Sequence, residues 1–252
     1  MPTKSNPVYE QVEGRNPVLE ALRGPRKVLQ VYLARGIERK GVVTEIIYES
    51  GRGGVSVHEV SRERLAEIAE TTAPQGIVAR VSSYRYAELE DIIHAGSDNP
   101  PLVFALDGVE DPRNLGSLLR VADAVAAEGA IVTKRRSAQV TAAVAKASAG
   151  AVEHLRVARV ANMERTLARL KEEGLWVVGA EAEGGVPYWK LDLTGPLVLV
   201  LGSEGKGLGR LVRERCDFLA RLPMLGRVSS LNVATAAAVL AYEAVRQRGS
   251  IG

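Results

Sequence analysis

Apolar positions along the chain alternate between short continuous runs and stretches with helical spacing. VLQVYLA (28–34) and VSVHEV (55–60) have the character of strands, while residues 37–50 and SRERLAEIAE (61–70) have that of helices. Asn16-Pro17 ahead of VLEAL predicts a helix start, with asparagine capping and proline in the first turn. QGIVARVSSY (75–84) completes a compact α/β unit. Downstream the runs PLVFALDGV (101–109), AIVTK (130–134), LWVVGAE (175–181) and PLVLVLG (196–202) are of the kind buried on both faces of a parallel sheet, and HLRVARV (154–160) predicts a further strand. Helical stretches are expected at 114–129, 137–150, 163–174 behind an Asn162 cap, and 230–248. The fold class predicted is therefore α/β. YAELEDIIHAGSDNP (86–100) begins amphipathic and ends in turn formers, so the expected organisation is a domain at 1–85, a linker at 86–100 and a second domain at 101–252.

Composition narrows the class. A chain of 252 residues with 46% hydrophobic and 25% charged positions can bury a core, which argues against wholesale disorder. Aromatic residues, at 4%, are too few for base reading through rows of stacked rings. Residues 1–100 carry 13 Lys+Arg against 14 Asp+Glu, and the remainder 20 against 16, a mild basic excess compatible with a nucleic-acid partner. A single cysteine, Cys216, fits a reducing compartment. The first residues lack an apolar central segment, and no window approaches the roughly 18 apolar residues of a membrane span. A cytoplasmic location with no membrane partner is expected. His58, His94 and His154 show no ligand spacing, so no metal is expected.

Three segments place polar groups at the ends of buried strands, where ligands gather in open α/β sheets. The first runs from Asp107 to Arg120: Asp111-Pro112 makes a turn, Asn114 lies at the start of the next helix, and Arg120 can reach back toward that mouth. The second is Gly202-Ser203-Glu204-Gly205-Lys206-Gly207-Leu208-Gly209, which satisfies neither the Walker A pattern nor the dinucleotide fingerprint. It suits a cofactor bearing an amine and hydroxyls. The third is Leu222-Pro-Met-Leu-Gly-Arg-Val-Ser-Ser230-Leu-Asn232-Val, in which either Ser230 or Asn232 can cap the last helix and leave the other for contact with a ligand. Lys134, Arg135 and Arg136 follow a strand end and can line an RNA path, as can Arg113, Arg227, Arg246 and Arg248.

Asp-Pro-x-Asn-x-Gly, a Gly-x-Glu-Gly loop and Pro-Met-x-Gly-x-x-x-Ser-Leu-Asn-Val, in that order, resemble the motif set of the SpoU/TrmH (SPOUT) RNA 2′-O-methyltransferases over nearly all of 101–248. GRNPVLEALRG and PQGIVARV resemble the small α/β RNA-binding domain that precedes the catalytic domain in bacterial 23S rRNA guanosine-2′-O-methyltransferases. The resemblance implies a C-terminal parallel sheet with a trefoil knot, a homodimer, and methyl transfer from S-adenosyl-L-methionine to a guanosine ribose in the peptidyl-transferase region of 23S rRNA. It implies cofactor contacts at Gly202, Leu222, Met224 and Leu231, and a catalytic set of Asn114, Arg120, Glu204, Ser230 and Asn232. Arg120 is either the base or an anchor for phosphate and oxyanion. A tRNA or other rRNA substrate, or a knotted RNA-binding protein without catalysis, are the alternatives.

Overall fold

A computed structural model describes residues 9–96 and 99–249. In chain order the elements of the first part are β1 (Tyr9–Glu13), α1 (Arg15–Arg23), β2 (Val28–Ala34), α2 (Val42–Arg52), β3 (Ser56–Val60), α3 (Arg62–Ile68) and β4 (Ile77–Ser82). Then follow α4 (Leu89–Ile93), β5 (Leu102–Asp107), α5 (Pro112–Ala124), β6 (Gly129–Thr133), α6 (Ala142–Ala147), β7 (Val157–Val160), α7 (Met163–Glu172) and β8 (Trp176–Glu181). The chain ends with β9 (Val186–Pro187), β10 (Leu197–Gly202), α8 (Arg210–Arg215), β11 (Phe218–Arg221) and α9 (Val233–Gln247). None of the helices is long and apolar enough to cross a membrane, among the described residues.

The chain forms two compact units. One comprises residues up to Arg85 together with Gln139–His154; the other comprises Tyr86–Ala138 and the residues from Leu155 onward. The first unit has a four-stranded sheet in the order β1-β4-β2-β3, antiparallel except for the β2–β3 pair. Val12, Val18, Val31, Ile46 and Ala79 are fully buried in it. Asn16 does not cap α1. Gly14 stands there at φ 98°, and the exposed Arg15 N–H donates instead to Gln75 Oε1 at 3.1 Å.

Residues 139–154 join this unit through specific contacts. Gly150, at φ 94°, lies so close to α1 that an added Cβ would sit 2.7 Å from the Glu20 Cβ. Arg26 reaches the buried Glu153 carboxylate at 3.1 Å, and Lys146 donates to Thr71 Oγ1 at 3.2 Å. Burial pushes the Glu153 carboxyl above its ordinary range despite the Arg26 charge beside it. The helix expected over 137–150 is thus only α6. Ala149 and Gly150 both take positive φ, and no right-handed helix continues through them.

The second unit is built on seven strands in the order β7-β6-β5-β10-β8-β11-β9, every pair parallel. Strand residues alternate between two cores. Val103, Ala105, Val198 and Val200 pack with Leu167 and Leu170 of α7 and with Ile92 of α4. Phe104 and Leu106 face the other way, toward the side on which α5 and α9 pack together. Because Ile92 is fully buried, residues 86–93 belong to the second unit and are not a free linker. Parallel pairing brings the carboxyl ends of β5 and β10 side by side, with Gly202 opposite Asp107.

Gly129 opens β6 in a tight place: a Cβ there would lie 2.7 Å from the Arg156 carbonyl oxygen and 2.8 Å from Ile92. Gly129→Ala should therefore cost about 1–3 kcal/mol by overpacking, read as a lower midpoint in urea or thermal unfolding. Gly195→Ala, whose nearest contact would be 3.8 Å from Trp176, should be close to neutral.

Candidate functional site

The three chemistry-bearing segments meet at the carboxyl ends of β5 and β10. Asp111 caps α5 by accepting from the Arg113 N–H at 2.7 Å, and Pro112 takes the first helical position, where its missing N–H leaves nothing unsatisfied. This sets Asn114 in the first turn of α5. After β10 the chain folds back at once: Ser203 and Gly207 exchange two backbone hydrogen bonds of 3.2 and 2.9 Å. A Cβ on Gly202 would stand 2.2 Å from the Gly207 carbonyl carbon, so only glycine permits this return. The Gly209 N–H donates to Asp107 Oδ2 at 2.9 Å and fastens the loop to the end of β5.

Asn232 caps α9, its Oδ1 accepting from the N–H groups of Ala234 (2.9 Å) and Thr235 (3.4 Å). Its Nδ2 then points away from the helix and donates to Asn114 Oδ1 at 2.9 Å and to Glu204 Oε1 at 3.0 Å. Asn114 Nδ2 donates to the second carboxylate oxygen of Glu204 at 2.9 Å. A closed ring of three side chains results, and it fixes which way each amide faces. Of the two possible caps, Asn232 is the one used. Ser230 does not cap; it is exposed on a cavity wall.

The loop 203–207 separates two cavities that share Ser203, Glu204, Lys206, Gly207 and Val233. One, of about 460 Å³, is lined by Gly202, Leu222, Met224 and Leu231, with Glu204 and Ser230 beside them. Four residues expected to hold a cofactor therefore share one pocket. The other, of about 540 Å³, is bounded by Asn114 and by the loops after β5 and β6, including Arg135 and Arg136. Arg120 lines neither cavity; it is exposed on α5, about 9 Å along the helix axis from Asn114.

Some candidates have other duties. The Arg248 guanidinium donates to the carbonyls of Pro100, Leu193 and Gly195, and Arg246 pairs with Glu243 at 2.8 Å. Arg113, Lys134 and Arg227 are exposed. Cys216 is no nucleophile: burial, reinforced by Asp217, pushes its thiol up to about 12. Glu181, the last residue of β8, and Glu183, just beyond it, are site residues that the sequence reading did not single out. They line the 460 Å³ cavity, Glu181 paired with Arg213 at 2.5 Å.

Comparison with known proteins identifies the family. The SpoU rRNA Methylase family matches residues 101–242, and a domain described as RNA 2′-O ribose methyltransferase substrate binding matches 11–87. A Bacillus subtilis (strain 168) protein described as a TrmH family tRNA/rRNA methyltransferase, YacO, is 45% identical over 97% of this chain and 98% of its own. The SpoU methyltransferase AviRb from Streptomyces viridochromogenes, solved with AdoMet, aligns at 29% identity with a TM-score of 0.77, covering 96% of this chain and 91% of that one. An AdoMet-bound rRNA methyltransferase from Sinorhizobium meliloti aligns at 28% identity with a TM-score of 0.76, covering 94% and 87%.

Asn232→Ala should lose the cap and the ring together, lowering stability by about 1 kcal/mol. Asn232→Asp keeps a capping oxygen but turns a second carboxylate toward Glu204. Like-charge repulsion raises carboxylate pKa values in the folded state. The defect of this variant should therefore be larger at pH 7 and shrink as the pair protonates on acidification. Urea midpoints of both variants at pH 7 and pH 4 check this.

Proposed function

Since the chain belongs to the SpoU rRNA methylase family, we propose that it transfers a methyl group from S-adenosylmethionine to the ribose 2′-hydroxyl of a guanosine in the peptidyl-transferase region of 23S rRNA. The observation that carries the reading is the single pocket formed by Gly202, Leu222, Met224 and Leu231, which opens onto Glu204. The substrate-binding match over residues 11–87 supports RNA as the partner, and the AdoMet in two structural relatives supports the cofactor. The polypeptide acts in the cytoplasm on this reading.

The residues present fit the cofactor. Leu222, Met224 and Leu231 offer an apolar wall for an adenine ring, and close-set glycine backbone offers amide and carbonyl groups for the polar edges. Glu183 adds an exposed carboxylate without an ion-pair partner among the described residues, favourable to a ligand with positive charge. Bound S-adenosylmethionine supplies a methyl group on a positively charged sulfur, which a ribose oxygen displaces in line. The protein's part is to orient and to exclude water. Glu204 is held by two carboxamides and needs no reorganisation when a hydroxyl arrives.

The deprotonation step turns on Arg120. A guanidinium has no acceptor site and stays charged at ordinary pH. Its role is therefore to hold a phosphate or the developing alkoxide while water or RNA takes the proton. Arg120 lines neither cavity of its own chain, so we assign it to the site of the second subunit in a homodimer. The parallel-sheet order, with β10 between β5 and β8, supports a trefoil crossing at the carboxyl end of the chain.

Methylation with labelled cofactor of deproteinised 23S rRNA and of bulk tRNA, followed by mass mapping, should place label on one 23S guanosine ribose. Label on tRNA alone would replace the substrate, and label on neither would overturn the reading. Arg120→Ala and Glu204→Ala should each abolish turnover. Mixed by co-refolding, they should restore roughly a quarter of wild-type rate, because half the dimers then carry one intact composite site. No recovery despite proven subunit exchange would put Arg120 in its own chain's site.

A further inference from the structure

The second cavity, of about 540 Å³, lies across the Glu204 loop from the proposed cofactor pocket. Its charged groups divide into two kinds. Of the carboxylates, Asp107 accepts from Gly209, Asp111 from Arg113 and Glu204 from two carboxamides, while Glu110 is exposed; Lys206 adds an exposed cation on the shared wall. The guanidinium groups of Arg135 and Arg136 are exposed and have neither an ion pair nor a hydrogen bond among the described residues. Other arginines of this unit, such as Arg169, Arg213 and Arg215, hold carboxylates.

The loop that carries this pair is pinned. The Thr133 hydroxyl donates to the Arg135 carbonyl at 2.6 Å, and the Ala138 N–H to the Val109 carbonyl at 2.9 Å. Arg136 sits at φ 56°, a left-handed conformation that few side-chain-bearing residues adopt. A glycine would be easier there, yet the position carries a long cation among the residues that line the cavity. Strain of this kind concentrates at ligand clamps.

We propose that this cavity receives the target nucleotide of the RNA, and that Arg135 and Arg136 bind the phosphates flanking its ribose. The inference rests on the methyltransferase reading. In-line displacement needs the acceptor to approach from the side opposite the leaving sulfur. Two cavities that share the Glu204 wall offer such an arrangement, one for the methyl donor and one for the acceptor. Paired guanidinium groups suit phosphate, which they can hold through two parallel hydrogen bonds each. They position RNA and take no part in the bond change.

The test uses the full chain with Arg135→Ala, Arg136→Gly and the double variant; glycine accepts φ 56° freely, so the second change removes the cation without disturbing the loop. Filter binding to transcribed 23S rRNA and to bulk tRNA between 50 and 200 mM salt is read beside initial-rate methylation and calorimetry with S-adenosylhomocysteine. For the RNA that wild type methylates, the double variant should raise KM roughly tenfold or more and leave kcat within a few-fold. Its slope of log affinity against log salt should be shallower by about 1.4, the value for two lost single-strand phosphate contacts. Affinity for S-adenosylhomocysteine should not change, nor should any reading for Arg169→Ala as a control. An unchanged KM and salt slope beside active wild type overturns the phosphate clamp and leaves the methyltransferase reading standing. Weakened S-adenosylhomocysteine binding overturns it too, by moving the pair to the cofactor's site. If wild type methylates neither RNA, the methyltransferase reading fails, and the salt slope alone decides whether the pair binds phosphate.

Discussion

The carboxamide of Asn232 is the constraint around which the second unit's working end is arranged. It has two acceptor directions and two N–H groups, and each is engaged: the oxygen at the start of α9, the nitrogen on Asn114 and Glu204. A serine cap at this position would satisfy the helix but leave the carboxylate without its second donor. An aspartate would satisfy the helix and repel the carboxylate. Helix start and site geometry are thus one requirement, and the three segments, far apart in sequence, cannot be varied independently.

The first unit depends on a similar economy of position. Glu13, fully buried at the end of β1, accepts from the Thr71 N–H at 3.2 Å and from the N–H of Glu70 and the hydroxyl of Thr71. Thr71 in turn receives Lys146 from the segment 139–154. A buried carboxylate is tolerated here because backbone donors surround it. The segment that sequence order would give to the second unit is held to the first by Lys146, by the Arg26–Glu153 pair and by the close approach of Gly150 to Glu20.

That segment marks the limit of what the sequence reveals. Val28–Ala34 was legible residue for residue, and the buried parallel strands nearly so, because continuous apolar runs report burial directly. β1 was not, since YEQVE is polar enough to pass for a leading loop. α2 starts at Val42 and not at 37 because Gly36 and Gly41 take positive φ, a backbone state with no periodic signature. The site was legible as three segments of polar residues that follow buried strands, with Asn114 and Asn232 at helix starts and Glu204 just past β10. The choice of Asn232 over Ser230 as the cap was not, since both side chains cap well and only the partner across the fold selects between them.

The glycine-rich loop shows why composition alone misleads about ligand chemistry. A phosphate cradle works by turning free backbone N–H groups toward an anion. In this loop the N–H groups of Ser203 and Gly207 are bonded to each other's carbonyls, and that of Gly209 to Asp107. Those three donors are committed internally and are not turned toward an anion. What the loop does present is Glu204, on a backbone turn so tight at Gly202 that no side chain fits. The Glu204 carboxylate in the shared wall suits a ligand that is cationic at its reacting centre. The same wall leaves the anionic partner, RNA, to be met by cations on the other side.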